Sequence, residues 1–179
     1  MKILHPPVTL RDISKLRAGD LVKISGRIFT ARDKAYVRVV QSGKAPVDMR
    51  GGVVYHCGPL VVRHEEKYEV ISAGPTTSSR MDEIQERFLR ITGVKVLIGK
   101  GGVGEKIAAR LPELGCVYLS FPGGAGVLAA GFVEEVEEVI WEDLGPAEAI
   151  WVLRVKDFPC VVAIDIHGKN LYTGRMKRK

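Results

Sequence analysis

A chain of 179 residues, 46% hydrophobic and 27% charged, can bury roughly two-thirds of its unfolded surface as one domain and needs no disulfide or metal staple. Its formal charge of +6 comes from 27 Lys and Arg against 21 Asp and Glu, but Arg175, Lys177, Arg178 and Lys179 supply four of those charges in what reads as a disordered basic tail over 175–179. The +2 left for the body is no argument for a nucleic-acid partner. Cys57, Cys116 and Cys160 stand apart, with no spacing typical of a metal site, and read as reduced thiols. No charged-then-apolar leader is seen and no apolar run approaches the ~18 residues of a membrane span, so a single cytoplasmic domain over 1–179 is expected, with no membrane attachment.

Met1 to Gly19, with Pro6, Pro7 and the apolar anchors Thr9, Leu10, Ile13 and Leu16, reads as an arm or edge strand leading into the core. Leu21 to Thr30 alternates as a strand, with Gly26 a candidate bulge. Ala31 to Val40 reads as a helix carrying Arg32 and Asp33 in its first turn. An Arg there opposes the helix dipole unless an anion lies in front of it. Gly51 to Val62 reads as short strands around Gly58-Pro59, and Tyr68 to Ser72 as a strand feeding Gly74-Pro75-Thr76-Thr77-Ser78-Ser79-Arg80-Met81-Asp82. Met81, Ile84, Phe88 and Ile91 then recur at helical spacing. Ser79 and Asp82 have capping-box spacing, which starts that helix at Ser79 or a residue earlier, and Thr92-Gly93 closes it.

Val94 to Ile98 reads as a buried strand, Gly99 to Gly104 as a glycine turn and Glu105 to Leu114 as a helix. Cys116 to Phe121 is a strand, Pro122 to Gly126 another glycine turn, and Val127 to Ala130 the start of a small-residue helix. Phe132 to Trp141 fits either helix or strand, and Ala147 to Val155 and Cys160 to Ile166 follow as separate segments, the second a strand. Strand, glycine turn and helix recur through the middle of the chain, which predicts an α/β domain with functional groups at the C-terminal ends of its strands.

Lys100-Gly101-Gly102-Val103-Gly104-Glu105-Lys106 lies where a phosphate-binding P-loop would lie. Glu105 separates the last glycine from the Lys, and Ile107 stands where a magnesium-binding hydroxyl is required, so nucleotide hydrolysis is set aside. What remains is a set of cations, Arg32, Arg80 and Lys100, each beside a strand-to-helix junction. Two guanidinium forks and one compact ammonium suit a small dianion. Asp33 and Asp82 read as caps or Arg partners, His56, His64 and His167 have no metal-ligand spacing, and the Glu134-Glu135 and Glu137-Glu138 run reads as a solvated face.

The Gly74-Pro75-Thr76-Thr77 and Arg80-Met81-Asp82 segments, together with Ser25-Gly26, Arg32-Asp33, Ile98-Gly99-Lys100-Gly101, Gly123-Gly124-Ala125, Glu142-Asp143-Leu144-Gly145, Glu148-Ala149-Ile150 and Asp157-Phe158-Pro159, resemble the β-subunit or C-terminal-domain family of class I fumarases and tartrate dehydratases. The resemblance covers nearly the whole chain. It implies a swivelling β/β/α domain and reversible addition of water to a dicarboxylate double bond, fumarate to malate first, with tartrate or a methylated analogue as alternatives. It also implies a 4Fe-4S cluster held by a partner α subunit in an α2β2 assembly, with none bound by this chain. Arg32, Arg80 and Lys100 would bind substrate carboxylates, and Thr76 or Thr77 would contact the substrate and relay the proton at C3. A non-catalytic dicarboxylate-binding module is the competing expectation. Tyr36 stands where many relatives carry His after Arg-Asp, and packing is its expected role.

Overall fold

The computed structural model describes residues 1–173; the basic tail expected at 175–179 lies outside the described residues. In chain order the strands are β1 (Lys2–Leu4), β2 (Leu21–Thr30), β3 (Val53–Tyr55), β4 (Leu60–His64), β5 (Lys67–Ser72), β6 (Val96–Gly99), β7 (Val117–Ser120), β8 (Val133–Ile140) and β9 (Ile150–Ile164). The helices are α1 (Leu10–Ile13), α2 (Asp33–Ser42), α3 (Asp82–Thr92), α4 (Glu105–Leu114) and α5 (Gly126–Ala130), with short 3-10 turns at Ser78–Met81 and Glu142–Leu144. The chain is thus a mixed α/β protein, as expected.

Strands β2, β3, β6 and β7 run parallel in that order. The long β9 runs antiparallel to β7 through Tyr118 and Ile164, and antiparallel to β2 through pairs such as Ile28 and Leu153. Because β9 pairs with both ends of that series, the strands close a circuit, and the free edges of the sheet fall to β1 and β8. Outside the circuit, β1 adds parallel to the first half of β2, and β8 adds antiparallel to β9. The ladder between β2 and β9 shifts register between Ile24 and Gly26, so Gly26, at φ 131°, is the bulge its sequence suggests.

Alternation along the strands divides the apolar side chains between two cores. Val53, Tyr55, Val96, Ile98, Val117 and Leu119 face one, onto which Val61, Tyr68 and Val70 of the β4–β5 hairpin pack. Val54, Leu97 and Tyr118 face the other, beneath Tyr36 and Val39 of α2, Phe88 of α3 and Leu111 of α4. Each such side chain contributes about 1.5–3 kcal/mol on burial. Helices α2, α3 and α4 end at Gly43, Gly93 and Gly115, all with left-handed backbone, which frees each helix to turn back toward the next strand.

Several local expectations are corrected. Helix α2 begins at Asp33, so Arg32 is its N-cap residue and lies outside the first turn. Ser79 and Asp82 form no capping box: Ser78–Met81 is a 3-10 turn without a side-chain cap, and Asp82 Oδ2 instead accepts from Gly104 N at 2.9 Å. The segments expected to be separate at Ala147–Val155 and Cys160–Ile166 are one strand, β9, in which Asp157 takes a left-handed φ of 55° and donates its N–H to Ser25 Oγ at 2.9 Å. Phe132 to Trp141 resolves as strand β8. Within it Glu137 is not part of a solvated face: it is nearly buried between Arg27, at 2.6 Å, and Arg154.

Candidate active site

The segment Pro75 to Ser78 crosses the C-terminal ends of β3 and β6 as a short extra strand. Pro75 bridges Cys57, just past β3, and Thr77 bridges Lys100, just past β6. Thr76 N donates to His56 O at 2.7 Å and Ser78 N to Lys100 O at 3.2 Å. Two threonines are thereby fixed between two parallel strand ends, where open α/β sheets carry their functional groups. Thr76 is half-buried and Thr77 is exposed. Neither hydroxyl caps the following turn.

Lys100 follows β6 directly, with its stem laid over the glycine turn after β7: a Cβ on Gly123 would lie 3.3 Å from Lys100 Cδ and 3.6 Å from Nζ. It forms no ion pair with any described residue. Arg32 follows β2 and lies against Gly58, where a Cβ would come within 2.9 Å of Nη1 and 3.0 Å of Cδ. Its Nε is 3.6 Å from Glu148 Oε1, too far for a hydrogen bond, and is buried with no partner. Its charge is offset by Glu148, while its Nε–H has no acceptor among the described residues. Glu148 Oε2 accepts from Lys34 N at 3.0 Å and so caps the start of α2, a task that Arg32 in the N-cap position, whose guanidinium has no acceptor atom, does not perform.

Arg80 lies on the 3-10 turn, half-exposed, and donates from Nη2 to Asp33 Oδ2 at 2.5 Å. That pair brings the third cation to the residue next to Arg32, while the Thr77 bridge brings the threonines to Lys100. Asp33 therefore acts as an Arg partner, one of the two roles its sequence position allows. Asp33 Oδ1 remains buried without a partner.

All three cysteines are buried, and burial pushes the thiols of Cys57 and Cys116 up to about 12, and that of Cys160 still higher. Among the described residues no three His, Cys, Asp or Glu side chains gather where a metal ion could be held. No described helix is long and apolar enough to cross a membrane.

Sequence reasoning missed the groups behind the rim. His56, just past β3, is fully buried, with Nε2 2.7 Å from Tyr36 Oη and Nδ1 2.7 Å from Ser78 Oγ. Tyr36 packs as expected, stacked on Phe88 with centroids 3.7 Å apart, but also takes part in that hydrogen bond. The only local signal was a His with no solvent-facing reason to be there, between the apolar strand β3 and Gly58-Pro59. Glu148 was visible only as part of a motif.

Comparison with known proteins adds a further finding. The model of the family described as Fumarase C-terminus matches residues 2–175. The chain is 40% identical over 178 residues to the L(+)-tartrate dehydratase subunit beta of Escherichia coli, covering 98% of this chain and 89% of that one. It is 37% identical to the putative L(+)-tartrate dehydratase subunit beta of Methanocaldococcus jannaschii, covering 96% and 91%. It is also 42% identical to the putative fumarate hydratase class I of Geobacillus stearothermophilus, covering 94% of this chain but 33% of that longer protein.

Proposed function

The chain belongs to the fumarase C-terminus family, and from that premise we propose that it is the β subunit of an iron-sulfur-dependent hydro-lyase acting on a four-carbon dicarboxylate. The observation that carries the reading is the pair of cations on one rim: Lys100, without an ion pair among the described residues, and Arg32, which faces Glu148 at 3.6 Å but whose buried Nε has no hydrogen-bond partner. Arg80 adds a third, oriented by Asp33. Cations held ready beside two hydroxyls suit a substrate with a carboxylate at each end. A swivelling β/β/α domain spanning the whole chain belongs to the same reading, supported by the mixed sheet with α2, α3 and α4 on one of its cores.

In this proposal Arg32, Arg80 and Lys100 grip the two carboxylates, each charge-assisted contact contributing about 1.5–3 kcal/mol. As the proton leaves C3, negative charge spreads onto the adjacent carboxylate, and cations already in place stabilise it without rearrangement. Thr76 or Thr77 contacts the substrate and relays the proton, a task for which a lone hydroxyl needs an activating neighbour. Because no cluster-binding set gathers among the described residues, the 4Fe-4S cluster is assigned to the partner α subunit, where it would act as the Lewis acid for the departing hydroxyl. Activity then requires both subunits, in a proposed α2β2 assembly in the cytoplasm.

Fumarate to malate is the first reading, and tartrate dehydration is the second, favoured by the separate-subunit relatives that carry that name. The test is anaerobic co-expression with an iron-sulfur partner, followed by size-exclusion and a panel of fumarate, malate, tartrate and methylated dicarboxylates. One stoichiometric complex that hydrates or dehydrates a panel member is expected. Turnover by either chain alone, or dicarboxylate binding by a complex without chemistry, would sink the hydro-lyase reading in favour of a binding module.

A further inference from the structure

Five buried polar side chains that no step above uses form a continuous string behind the rim. Gln85 Nε2 donates to Tyr36 Oη at 3.0 Å, Tyr36 Oη lies 2.7 Å from His56 Nε2, His56 Nδ1 lies 2.7 Å from Ser78 Oγ, and Ser78 Oγ lies 2.9 Å from Tyr118 Oη. All five residues are 0% exposed. An unfilled polar atom in such surroundings costs about 1–3 kcal/mol, so both ring nitrogens of His56 are held: Nε2 by Tyr36 Oη and Nδ1 by Ser78 Oγ. A neutral ring donates at one of these bonds and accepts at the other, and the string runs in a single direction between Tyr36 and Tyr118. The ring's neighbours Tyr36, Ser78 and Tyr118 are uncharged, and burial alone pushes the His56 pKa down to about 3.

The same residues fix the backbone of the candidate site. His56 O holds Thr76 N, Lys100 O holds Ser78 N, and the imidazole-to-Ser78 bond ties these two anchors together. Gly99 leaves the room for it: a Cβ there would lie 1.9 Å from Ser78 Oγ and 3.1 Å from His56 Nδ1. Apolar side chains would fill this space without a hydrogen-bonded string, so packing alone does not account for the arrangement.

We propose that His56 is a positioning residue of the hydro-lyase site: its ring, held by Tyr36 at Nε2, bonds Ser78 through Nδ1 and so fixes the Thr76-Thr77 segment relative to Lys100. The inference rests on the reading of Thr76, Thr77 and Lys100 as site residues.

The test uses the reconstituted two-subunit complex with His56→Asn, whose amide reaches the Nδ1 position and can donate or accept there, and His56→Gln, whose longer amide reaches instead toward the Nε2 side. His56→Asn is expected to keep kcat within about fivefold of wild type, while His56→Gln and Ser78→Ala lose about tenfold or more with the dicarboxylate KM little changed. In the full-length labelled chain, nitrogen NMR of His56 should show one fixed neutral tautomer, a pattern that Tyr36→Phe perturbs; a ring averaging between tautomers would overturn the proposal. Lower melting temperatures in both His56 variants with wild-type kcat, or better retention of kcat in His56→Gln than in His56→Asn, would overturn the proposal. Lys100→Ala, measured alongside, separates the two levels. If it is as active as wild type, the site reading fails and positioning falls with it; if it is inactive while His56→Gln keeps its kcat, positioning alone fails.

Discussion

Arg80 Nη2 rests 2.5 Å from Asp33 Oδ2, so the 3-10 turn that follows the threonines is tied to the first residue of α2. Both side chains are partly exposed, at 51% and 32%, and an ion pair so open to water contributes only about 0–1 kcal/mol to stability. Its consequence is geometric: it holds a planar guanidinium at Asp33, the residue after Arg32. Arg80→Lys keeps the charge and loses the fork. The expected cost is about 1.5–3 kcal/mol in kcat/KM, with the melting temperature nearly unchanged. Steady-state kinetics and a thermal melt of the reconstituted complex check this, and wild-type kinetics would put Arg80 outside the site.

Gly99 tests the packing behind the rim. Its added Cβ would fall 1.9 Å from Ser78 Oγ and 3.0 Å from Tyr118 Oη, in a fully buried strand. Gly99→Ala must therefore displace the serine or shift β6, and overpacking of this kind costs about 1–3 kcal/mol. Denaturant melts should show that loss. An unchanged midpoint would mean that Ser78 can leave its place freely.

The buried neutral His56 also sets the sign of an acid effect on stability. With a folded pKa lowered to about 3 against about 6.5 for an unperturbed imidazole, the unfolded chain takes up a proton first as pH falls. The stabilisation is fully present above about pH 6.5 and is lost as pH falls toward 3, with a slope of at most about 1.4 kcal/mol per pH unit from this one group. Glu86 and Asp48, held down to about 2 by their Arg partners, add to the same trend as pH falls from the ordinary carboxylate range toward about 2, below the interval in which the unfolded imidazole titrates. Between pH 6.5 and 5, roughly the span of the unfolded imidazole's titration, His56→Asn should therefore flatten the decline seen in wild type. Equal slopes in the two proteins over that interval would contradict the buried neutral ring.

Much of this fold is legible locally. Strand β2 and helix α4 fall at Leu21–Thr30 and Glu105–Leu114 as their sequences predict, because alternation marks the first and Gly104 and Gly115 bracket the second. The continuity of β9 is not legible, since Asp157-Phe158-Pro159 reads as a break until β2 is seen pairing with it, Pro159 opposite Lys23. The false capping box has a similar origin: Asp82 has the right spacing from Ser79, but its carboxylate is taken by the backbone of Gly104, which only tertiary structure brings near. At the candidate site, Arg32, Arg80 and Lys100 could be picked out because each is a cation at a glycine-rich or strand-end turn. His56, Ser78 and Tyr118 could not, because their meaning lies in contacts across 22 and 40 residues of sequence.

The threonines carry the last prediction. If either hydroxyl acts on the proton at C3, replacing it with Val, similar in shape but unable to hydrogen-bond, should lower kcat and kcat/KM together, because the lost interaction is made in the transition state. Simple ground-state contact would instead raise KM with kcat little changed. Stability separates neither case here, because neither hydroxyl caps the 3-10 turn and the anchoring bonds of the segment run through backbone N–H groups of Thr76 and Ser78; both variants should melt close to wild type. Thr76 is the expected chemical residue. It is half-buried and its own N–H is held by His56 O at 2.7 Å, whereas Thr77 is exposed. Kinetics of Thr76→Val and Thr77→Val in the reconstituted complex, with cluster content measured so that misassembly is not mistaken for lost chemistry, should show the larger fall in kcat for Thr76→Val. Unchanged kcat in both, with intact clusters, would move the base to the partner subunit and leave this chain as the clamp that holds the dicarboxylate.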